Sequence, residues 1–350
     1  MMRKSKAEAA DAAAAAAEPI IHFAARVEDS FHEFREKRAR KRGLIATVIP
    51  YAGYGGDGWV RVLCRVLLTK PETATSPYKN IRGWRSFTSV PVDDVAVTIS
   101  VGGVDTRMTA DRGGVVDARI EADLPPGWNM ITIRTDDSVT VEAPVFIVDP
   151  SVTFGVVSDI DDTVMVTALP RPFLAAWNTF VLDEHARRPV AGMAVLYERL
   201  MRDHPGAPVV YLSTGAWNVA PTLTRFLSRN LYPAGPLLLT DWGPTHDRWF
   251  RSGMEHKKLS LARLAKEFPD IQWLLIGDDG QHDEEIYGGF AETNRNNVRA
   301  IAIRQLSVSE AVLAGGRSKS EESENLTDVR WIYSPDGAGL AEQLRSVGLG

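Results

Sequence analysis

Hydrophobic and polar positions along this chain follow three rhythms in turn. After Pro19 the apolar residues Ile20, Phe23, Ala24, Val27, Phe31 and Phe34 recur at three- and four-residue steps, the period of one helix face. Pro19 suits the first turn of such a helix, and Arg35, Lys37, Arg38, Arg40, Lys41 and Arg42 complement its C-terminal dipole. Gly43 is a candidate cap. From Leu44 to Pro150 the period shortens to two: Val60, Val62, Cys64, Val66 and Leu68 alternate with Arg61 and Arg65. Further β-rich runs at Val115–Ala122, Met130–Thr135 and Val139–Val148 are separated by turn clusters such as Gly55-Gly56-Asp57-Gly58 and Pro125-Pro126-Gly127. Short strands at this spacing predict an all-β sandwich.

From Val152 to about Gln305 the alternation disappears. The runs Val152–Ser158, Val209–Leu212, Leu237–Thr240, Trp273–Ile276 and Val298–Ile303 are short, bulky and apolar throughout, as strands buried on both faces should be. Helical stretches at Ala191–Arg202, Val219–Arg229 and Glu255–Phe268 lie between them, which predicts a parallel α/β sheet flanked by helices. Ala314–Asp328, rich in Gly, Ser and Glu, reads as a flexible loop, with Val329–Tyr333 a last strand and Gly339–Val347 a last helix. The predicted organisation is a helical segment at 1–43 with a poorly specified Ala-rich start, a β-sandwich at 44–150, an α/β domain at 151–312, and a loop, strand and helix at 313–350.

Composition agrees with this division. A chain of 350 residues suggests two or three domains at about 150 residues each. At 44% hydrophobic and 24% charged it is neither disordered throughout nor a membrane-spanning bundle. A net charge of −5 provides no global basic field for nucleic acid or an anionic membrane, so no nucleic-acid partner is expected. The single cysteine, Cys64, makes neither an internal disulfide nor a zinc cage; on an alternating face it reads as a core thiol, in keeping with a reducing cytoplasm. Arg3, Lys4 and Lys6 before the alanine run imitate a signal peptide, but Glu8, Asp11 and Glu18 interrupt it. The expected location is cytoplasmic. The phenylalanine face beside the basic cluster either packs on the protein's own body or touches an anionic membrane surface.

Every strong polar signal follows one of the predicted α/β strands or opens a helix between them, and ligands bind outside the carboxyl ends of parallel strands. Val152–Ser158 runs into Asp159-Ile160-Asp161-Asp162-Thr163, and Val209–Leu212 into Ser213-Thr214-Gly215. The helix at Glu255 opens with His256-Lys257-Lys258, and Trp273–Ile276 runs into Gly277-Asp278-Asp279-Gly280-Gln281-His282-Asp283. Clustered carboxylates repel one another unless a cation neutralises them, and hard oxygen donors favour Mg²⁺ over zinc. A solvated acidic turn explains one such cluster, but less readily two at equivalent strand ends. A hydroxyl followed by glycine, as in Ser213-Thr214-Gly215, suits a phosphate oxygen, unless it caps the helix predicted from Val219. Lys257 near a predicted helix start opposes the dipole there, which an anion to hold would explain. His256 lacks partners at metal-ligand spacing.

The order acidic strand, hydroxyl strand, lysine, acidic strand resembles the haloacid dehalogenase superfamily. A response-regulator receiver puts its lysine last, and no phosphate-binding G-x-x-x-x-G-K-[ST] loop exists. Ser158–Thr163, Tyr211-Leu212-Ser213 with Trp217, His256-Lys257 and the Gly277–Asp283 phrase resemble the actin-patch phosphatidate phosphatase catalytic-domain family. Pro50-Tyr51 with Gly53-Tyr54-Gly55 resembles its bacterial members, so the likeness runs from about residue 44 to 305. Thr214-Gly215-Ala216 departs from the Asn-Ser-Pro of fungal members, and Cys64 stands where glycine is expected.

The resemblance implies a haloacid-dehalogenase-like sheet and a Mg²⁺-dependent phosphatase acting on phosphatidate or a related lipid phosphate. Asp159 would attack phosphorus to form an aspartyl-phosphate, and Asp161 would serve as acid and then base. Ser213 and Lys257 would hold the phosphoryl oxygens, with Thr163, Thr214, Gly215 and Arg251 (or Arg248) on the substrate. Mg²⁺ would be held by Asp159, Asp278, the Asp161 carbonyl, and Asp279 or Asp283. The insertions bearing Phe173, Trp177 and Phe180, and Trp242, Trp249 and Phe250, either cap the site for an apolar leaving group or simply pack. Two alternatives remain open: the same chemistry on a soluble phosphate ester, and a non-catalytic phosphate-sensing or membrane-docking scaffold. Any membrane contact would be local and peripheral, at the inner surface.

Overall fold

The computed structural model describes residues 34–70, 90–166, 187–240, 246–280, 282–313 and 328–349. Most of the predicted N-terminal apolar stripe, from Ile20 to Phe31, lies outside these residues. What is described is its basic end, a helix at 34–41 (α1). Gly43 closes it in the left-handed conformation, at φ +76°, while the amides of Gly43 and Leu44 satisfy the Arg40 and Ala39 carbonyls.

Among its described residues, the period-two region forms nine strands. These are β1 (Ile45–Pro50), β2 (Gly53–Gly56), β3 (Trp59–Thr69), β4 (Val90–Pro91), β5 (Ala96–Val101), β6 (Val104–Thr109), β7 (Val115–Glu121), β8 (Gly127–Thr135) and β9 (Val141–Ile147). They join in the order β1-β3-β2-β9-β8-β5-β6, with β4 and β7 also paired to β3. Every pairing is antiparallel except β2 with β9. β3 is buried on both faces because two cores meet on it. Val60, Val62, Cys64, Val66 and Leu68 fill the interior of the β unit, whereas Trp59, Leu63 and Leu67 join the core of the α/β unit. The alternation therefore shows only half of the burial; Arg61 and Arg65 alone break the second face.

The α/β unit contains β10 (Phe154–Asp159), a short antiparallel pair β11 (Met165–Val166) and β12 (Arg188–Pro189), then β13 (Val209–Ala216), β14 (Leu237–Thr240), β15 (Gln272–Asp278), β16 (Val298–Arg304) and β17 (Arg330–Ser334). Helices α2 (Met193–Asp203), α3 (Ala220–Arg229), α4 (His246–Glu267), α5 (Asp283–Thr293), α6 (Val308–Leu313) and α7 (Gly337–Ser346) alternate with them. The six long strands are all parallel, in the order β14-β13-β10-β15-β16-β17. The chain thus builds outwards from β10 in one direction through β13 and in the other through β15. Such a reversal opens a crevice at the carboxyl ends of β10 and β15, where ligands bind in open α/β sheets.

Two local features differ from the sequence reading. The strand and helix set apart after residue 313 are part of this sheet: β17 pairs with β16, and α7 packs on α2 where Gly337 meets Gly192, a contact that a side chain on Gly337 would block. Helix α4 begins at His246 rather than Glu255, because residues 246–252 carry no apolar period to announce it. No helix among the described residues is long and apolar enough to cross a membrane.

Cys64 is fully buried, and burial pushes its thiol up to about 12. The folded protein should therefore leave a thiol reagent such as Ellman's unreacted at pH 8, and release one equivalent of signal only after denaturation. Rapid labelling of the native chain would contradict this packing.

Candidate active site

β10 delivers Asp159 to the crevice, and the chain then reverses tightly. The Val164 and Met165 amides both donate to the Ile160 carbonyl at 3.0 Å, and the Asp162 amide donates to the Met165 carbonyl at 2.7 Å. The turn requires φ +58° at Asp162, a left-handed conformation that aspartate tolerates better than most residues. All of its polar residues are buried: Asp159, Asp161, Asp162 and Thr163 are at most 5% exposed. That excludes a solvated acidic turn.

The second acidic end is built around glycine. A side chain at Gly277 would collide with the Asp283 carboxylate and the Tyr287 ring, so its absence lets Asp283 lie back against β15. Asp283 is the first residue of α5, where the helix dipole favours its charge, and its Oδ2 accepts the Asp278 amide at 3.4 Å. The Asp278 Oδ1 accepts the Gly280 amide at 2.7 Å.

Lys257 joins the two ends. Its Nζ lies 2.6 Å from Asp159 Oδ1 and 2.6 Å from Asp283 Oδ1, with only 2% of the side chain exposed. Burial alone would lower the ammonium's pKa; the two carboxylates and their hydrogen bonds outweigh it and keep Lys257 charged. Lys257 does not, however, stand at a helix start. Lys257 sits in the interior of α4, away from the positive end of the dipole, and its anions are carboxylates of the protein itself.

Oxygens of Asp159, Asp278 and Asp283 lie within 4.8 Å of one another. Lys257 balances one of these three charges. Asp159 Oδ2 and Asp278 Oδ2 are buried with no hydrogen-bond partner, and burial raises both carboxyls well above the usual range. Unsatisfied buried carboxylate oxygens in an all-oxygen cluster fit a hard divalent cation such as Mg²⁺.

The remaining predicted residues surround this centre. Ser213 Oγ donates to Asp161 Oδ2 at 3.1 Å and accepts the Gly215 amide at 3.0 Å. It does not cap α3, whose N-terminus has no side-chain cap. The Thr240 hydroxyl holds the carbonyls of Thr214 and Gly215 at 2.9 and 3.2 Å, fixing the turn of that loop. Thr163 Oγ1 is buried without a hydrogen-bond partner. Asp279 stands apart from the three-carboxylate cluster, with its Oδ1 accepting the Leu306 amide at 2.8 Å. The side chains of Arg248 and Arg251, and the aromatic residues Phe173, Trp177, Phe180, Trp242, Trp249 and Phe250, lie outside the described residues.

Sequence reasoning missed Arg304 and Tyr197. Arg304 ends β16 and donates Nη1 to the Asp162 carbonyl and Nη2 to Glu310, each at 2.7 Å, while its own carbonyl accepts the Asp279 amide at 3.0 Å. It therefore ties the two acidic strand ends together. Its only signal in the sequence is a charge closing an apolar run. The Tyr197 hydroxyl bonds Ser158, which also donates to the Asp159 carbonyl at 2.6 Å.

Comparison with known proteins points to the same segment. Residues 154–305 match the family described as phosphatidate phosphatase APP1, catalytic domain. The chain is 26% identical over 202 residues to the phosphatidate phosphatase APP1 of Saccharomyces cerevisiae, covering 56% of this chain and 34% of that protein. It is also 26% identical over 153 residues to an uncharacterized protein of Schizosaccharomyces pombe, covering 43% of this chain and 25% of that one. The chain thus spans about a third or less of the length of these curated relatives. Among solved structures, a carbohydrate acetylesterase from Xanthomonas citri aligns over 81% of this chain and 73% of its own at 9% identity, with a TM-score of 0.29.

His256, beside Lys257, supplies a pH test of this packing. Burial lowers its imidazole from 6.5 to about 4, the Leu238 backbone hydrogen bond opposing the shift only in part. The unfolded chain then binds this proton below pH 6.5 while the native state refuses it, so stability falls as pH drops towards 4. Urea midpoints of wild type and His256→Gln should diverge across that window, wild type losing roughly 1.4 kcal/mol per pH unit more. Parallel profiles would show that the imidazole is not held neutral.

Proposed function

We propose that this chain, whose residues 154–305 match the family described as phosphatidate phosphatase APP1, catalytic domain, is a Mg²⁺-dependent phosphatase that hydrolyses a phosphate monoester through an aspartyl-phosphate on Asp159. Phosphatidate or a related lipid phosphate is the substrate in this reading, following the name of the yeast relative. The observation that carries the chemistry is the buried Lys257 ammonium shared between Asp159 and Asp283, beside carboxylate oxygens with no partner, at the reversal point of a parallel sheet.

Phosphate monoesters are among the slowest substrates known to hydrolyse, and a carboxylate nucleophile divides the displacement into two easier steps. Lys257 and the Ser158–Tyr197 pair fix the Asp159 carboxylate and backbone, leaving Oδ2 free of hydrogen bonds for attack. Asp161, held by Ser213, lies two residues on; it protonates the leaving alkoxide and afterwards takes a proton from the water that cleaves the acyl phosphate. Lys257 offers a donor to the transferring phosphoryl oxygens, and the Ser213 hydroxyl and Gly215 amide offer theirs on turning from Asp161 and from Ser213 Oγ respectively. Asp159, Asp278 and, of the two alternatives Asp279 and Asp283, Asp283 would hold Mg²⁺, with the Asp161 carbonyl as the further ligand implied by the resemblance. The ion would offset the repulsion between an anionic nucleophile and an anionic ester.

The same reading takes the parallel sheet as haloacid-dehalogenase-like, supported by its strand order, and the nine-stranded unit as a sandwich, supported by its antiparallel pairing around a core of its own. It places the protein in the cytoplasm, meeting lipid at the inner membrane surface by local contact, with no role for nucleic acid. The net charge of −5 favours local over global electrostatic attraction.

Phosphate release from phosphatidate in mixed micelles and from a panel of soluble esters, with and without Mg²⁺, tests this reading. Activity should require Mg²⁺, vanish with EDTA, return when Mg²⁺ is restored, and favour the lipid ester. Asp159→Asn should fall to background while retaining the wild-type circular dichroism spectrum. Full turnover by Asp159→Asn would remove the nucleophile assignment, and preference for a soluble ester would move the substrate.

A further inference from the structure

One segment singled out in the sequence has no duty in the chemistry above: Pro50-Tyr51-Ala52-Gly53-Tyr54-Gly55. It lies in the β unit, yet its two tyrosines face the α/β unit. Glycine is required for that placement. A side chain on Gly53 would strike the Arg61 carbonyl, and one on Gly55 would strike the Trp59 carbonyl and the Ile147 side chain. Only without them can β2 close against β3 and β9 and turn Tyr51 and Tyr54 towards the catalytic half.

Each tyrosine grips an element that carries part of the candidate site. The Tyr51 ring stacks on Trp217 with centroids 4.9 Å apart and planes 22° from parallel, and its hydroxyl donates to the Trp217 carbonyl at 3.3 Å. Trp217 follows directly on the Ser213–Ala216 stretch that ends β13, and both rings are buried. The Tyr54 hydroxyl donates to Glu267 Oε2 at 2.9 Å, while Arg61 reaches Oε1 of the same residue through Nε at 3.1 Å and Nη2 at 2.5 Å. Glu267 ends α4, the helix that bears Lys257, roughly 15 Å further along its axis. Asp117 of β7 adds a second tie, accepting from both Arg61 and Arg263 at 2.6 Å.

We propose that Tyr51 and Tyr54 are positioning residues for catalysis. Tyr51 sets the loop that presents Ser213 and the Gly215 amide, and Tyr54 with Arg61 sets the axial position of α4 and so of the Lys257 ammonium. The β unit is then a brace for two of the four parts of the site. For its effect on rate this inference rests on the phosphatase reading.

The test uses the full chain carrying Tyr51→Leu, Tyr51→Phe or Tyr54→Phe, with p-nitrophenyl phosphate and Mg²⁺ for kinetics and peptide-resolved hydrogen exchange for local order. Tyr51→Leu removes both stack and hydroxyl; since misplacement by about 1 Å costs on the order of 100-fold, kcat should fall about 10- to 100-fold with KM within about threefold. Exchange should rise at residues 213–219 while β10 stays protected. Tyr51→Phe and Tyr54→Phe keep their rings and should lose about threefold in kcat, on the scale of one hydrogen bond; they carry the test if Tyr51→Leu does not fold. Unchanged kcat together with unchanged exchange at 213–219 would overturn the proposal. So would exchange rising evenly along the chain, which is the mark of a merely structural contact. Should wild type release no phosphate from any ester, the phosphatase reading and the kinetic half of this proposal fall together. The exchange pattern still decides whether Tyr51 orders the loop.

Discussion

Lys257 holds its ammonium 2.6 Å from both Asp159 and Asp283 in a space almost closed to water, and such a group survives burial only while every partner remains in place. Removing one member of a buried ion pair typically costs about 3–5 kcal/mol, because the survivor is left charged and unsolvated. Much of the surrounding structure follows from this demand. α4 must present a lysine from its interior to the ends of β10 and α5, Gly277 must have no side chain, and Asp283 must open a helix that favours its charge.

The acid-rich strand ends impose a second demand, which Arg304 meets. Two loops dense in carboxylate would drift apart by repulsion, and a guanidinium between them holds one by its carbonyl while its own carbonyl holds the other. Arg304 suits this place better than lysine would, because its planar fork can serve Asp162, Glu310 and Pro335 at once.

Most of the candidate site was legible in the sequence because parallel strands put their polar residues at their carboxyl ends, so motif and position coincide. Asp159, Asp161, Ser213, Asp278 and Asp283 were all marked in this way, whereas Lys257 was marked by a supposed helix start and lies instead inside α4. The rest was hidden for definite reasons. The early start of α4 is masked because the residues from His246 to Ser252 have only the adjacent Trp249 and Phe250 as apolar members and so carry no helical period. The double burial of β3 is masked because Leu63 and Leu67 look like lapses in an alternation rather than a second face. Asp279 reads as a ligand by proximity, yet its Oδ1 accepts the amide of Leu306, a partner no local pattern could announce. Arg304 and the tyrosines at 51 and 54 act across contacts far apart in the chain, and one sequence carries no record of such pairs.

The parallel pairing of β2 with β9 has a consequence in time rather than in space. Gly53 lies beside Val145, so this contact waits until nearly the whole β unit exists. Long-range pairings of this kind form slowly, because the chain must lose the entropy of the intervening loop first. A ribosome makes the chain from its N-terminus, and β9 ends at Ile147 shortly before β10 opens at Phe154. The face that receives α4 can therefore be complete before α4 itself, which opens at His246, has been made, and that helix then packs onto a surface already formed.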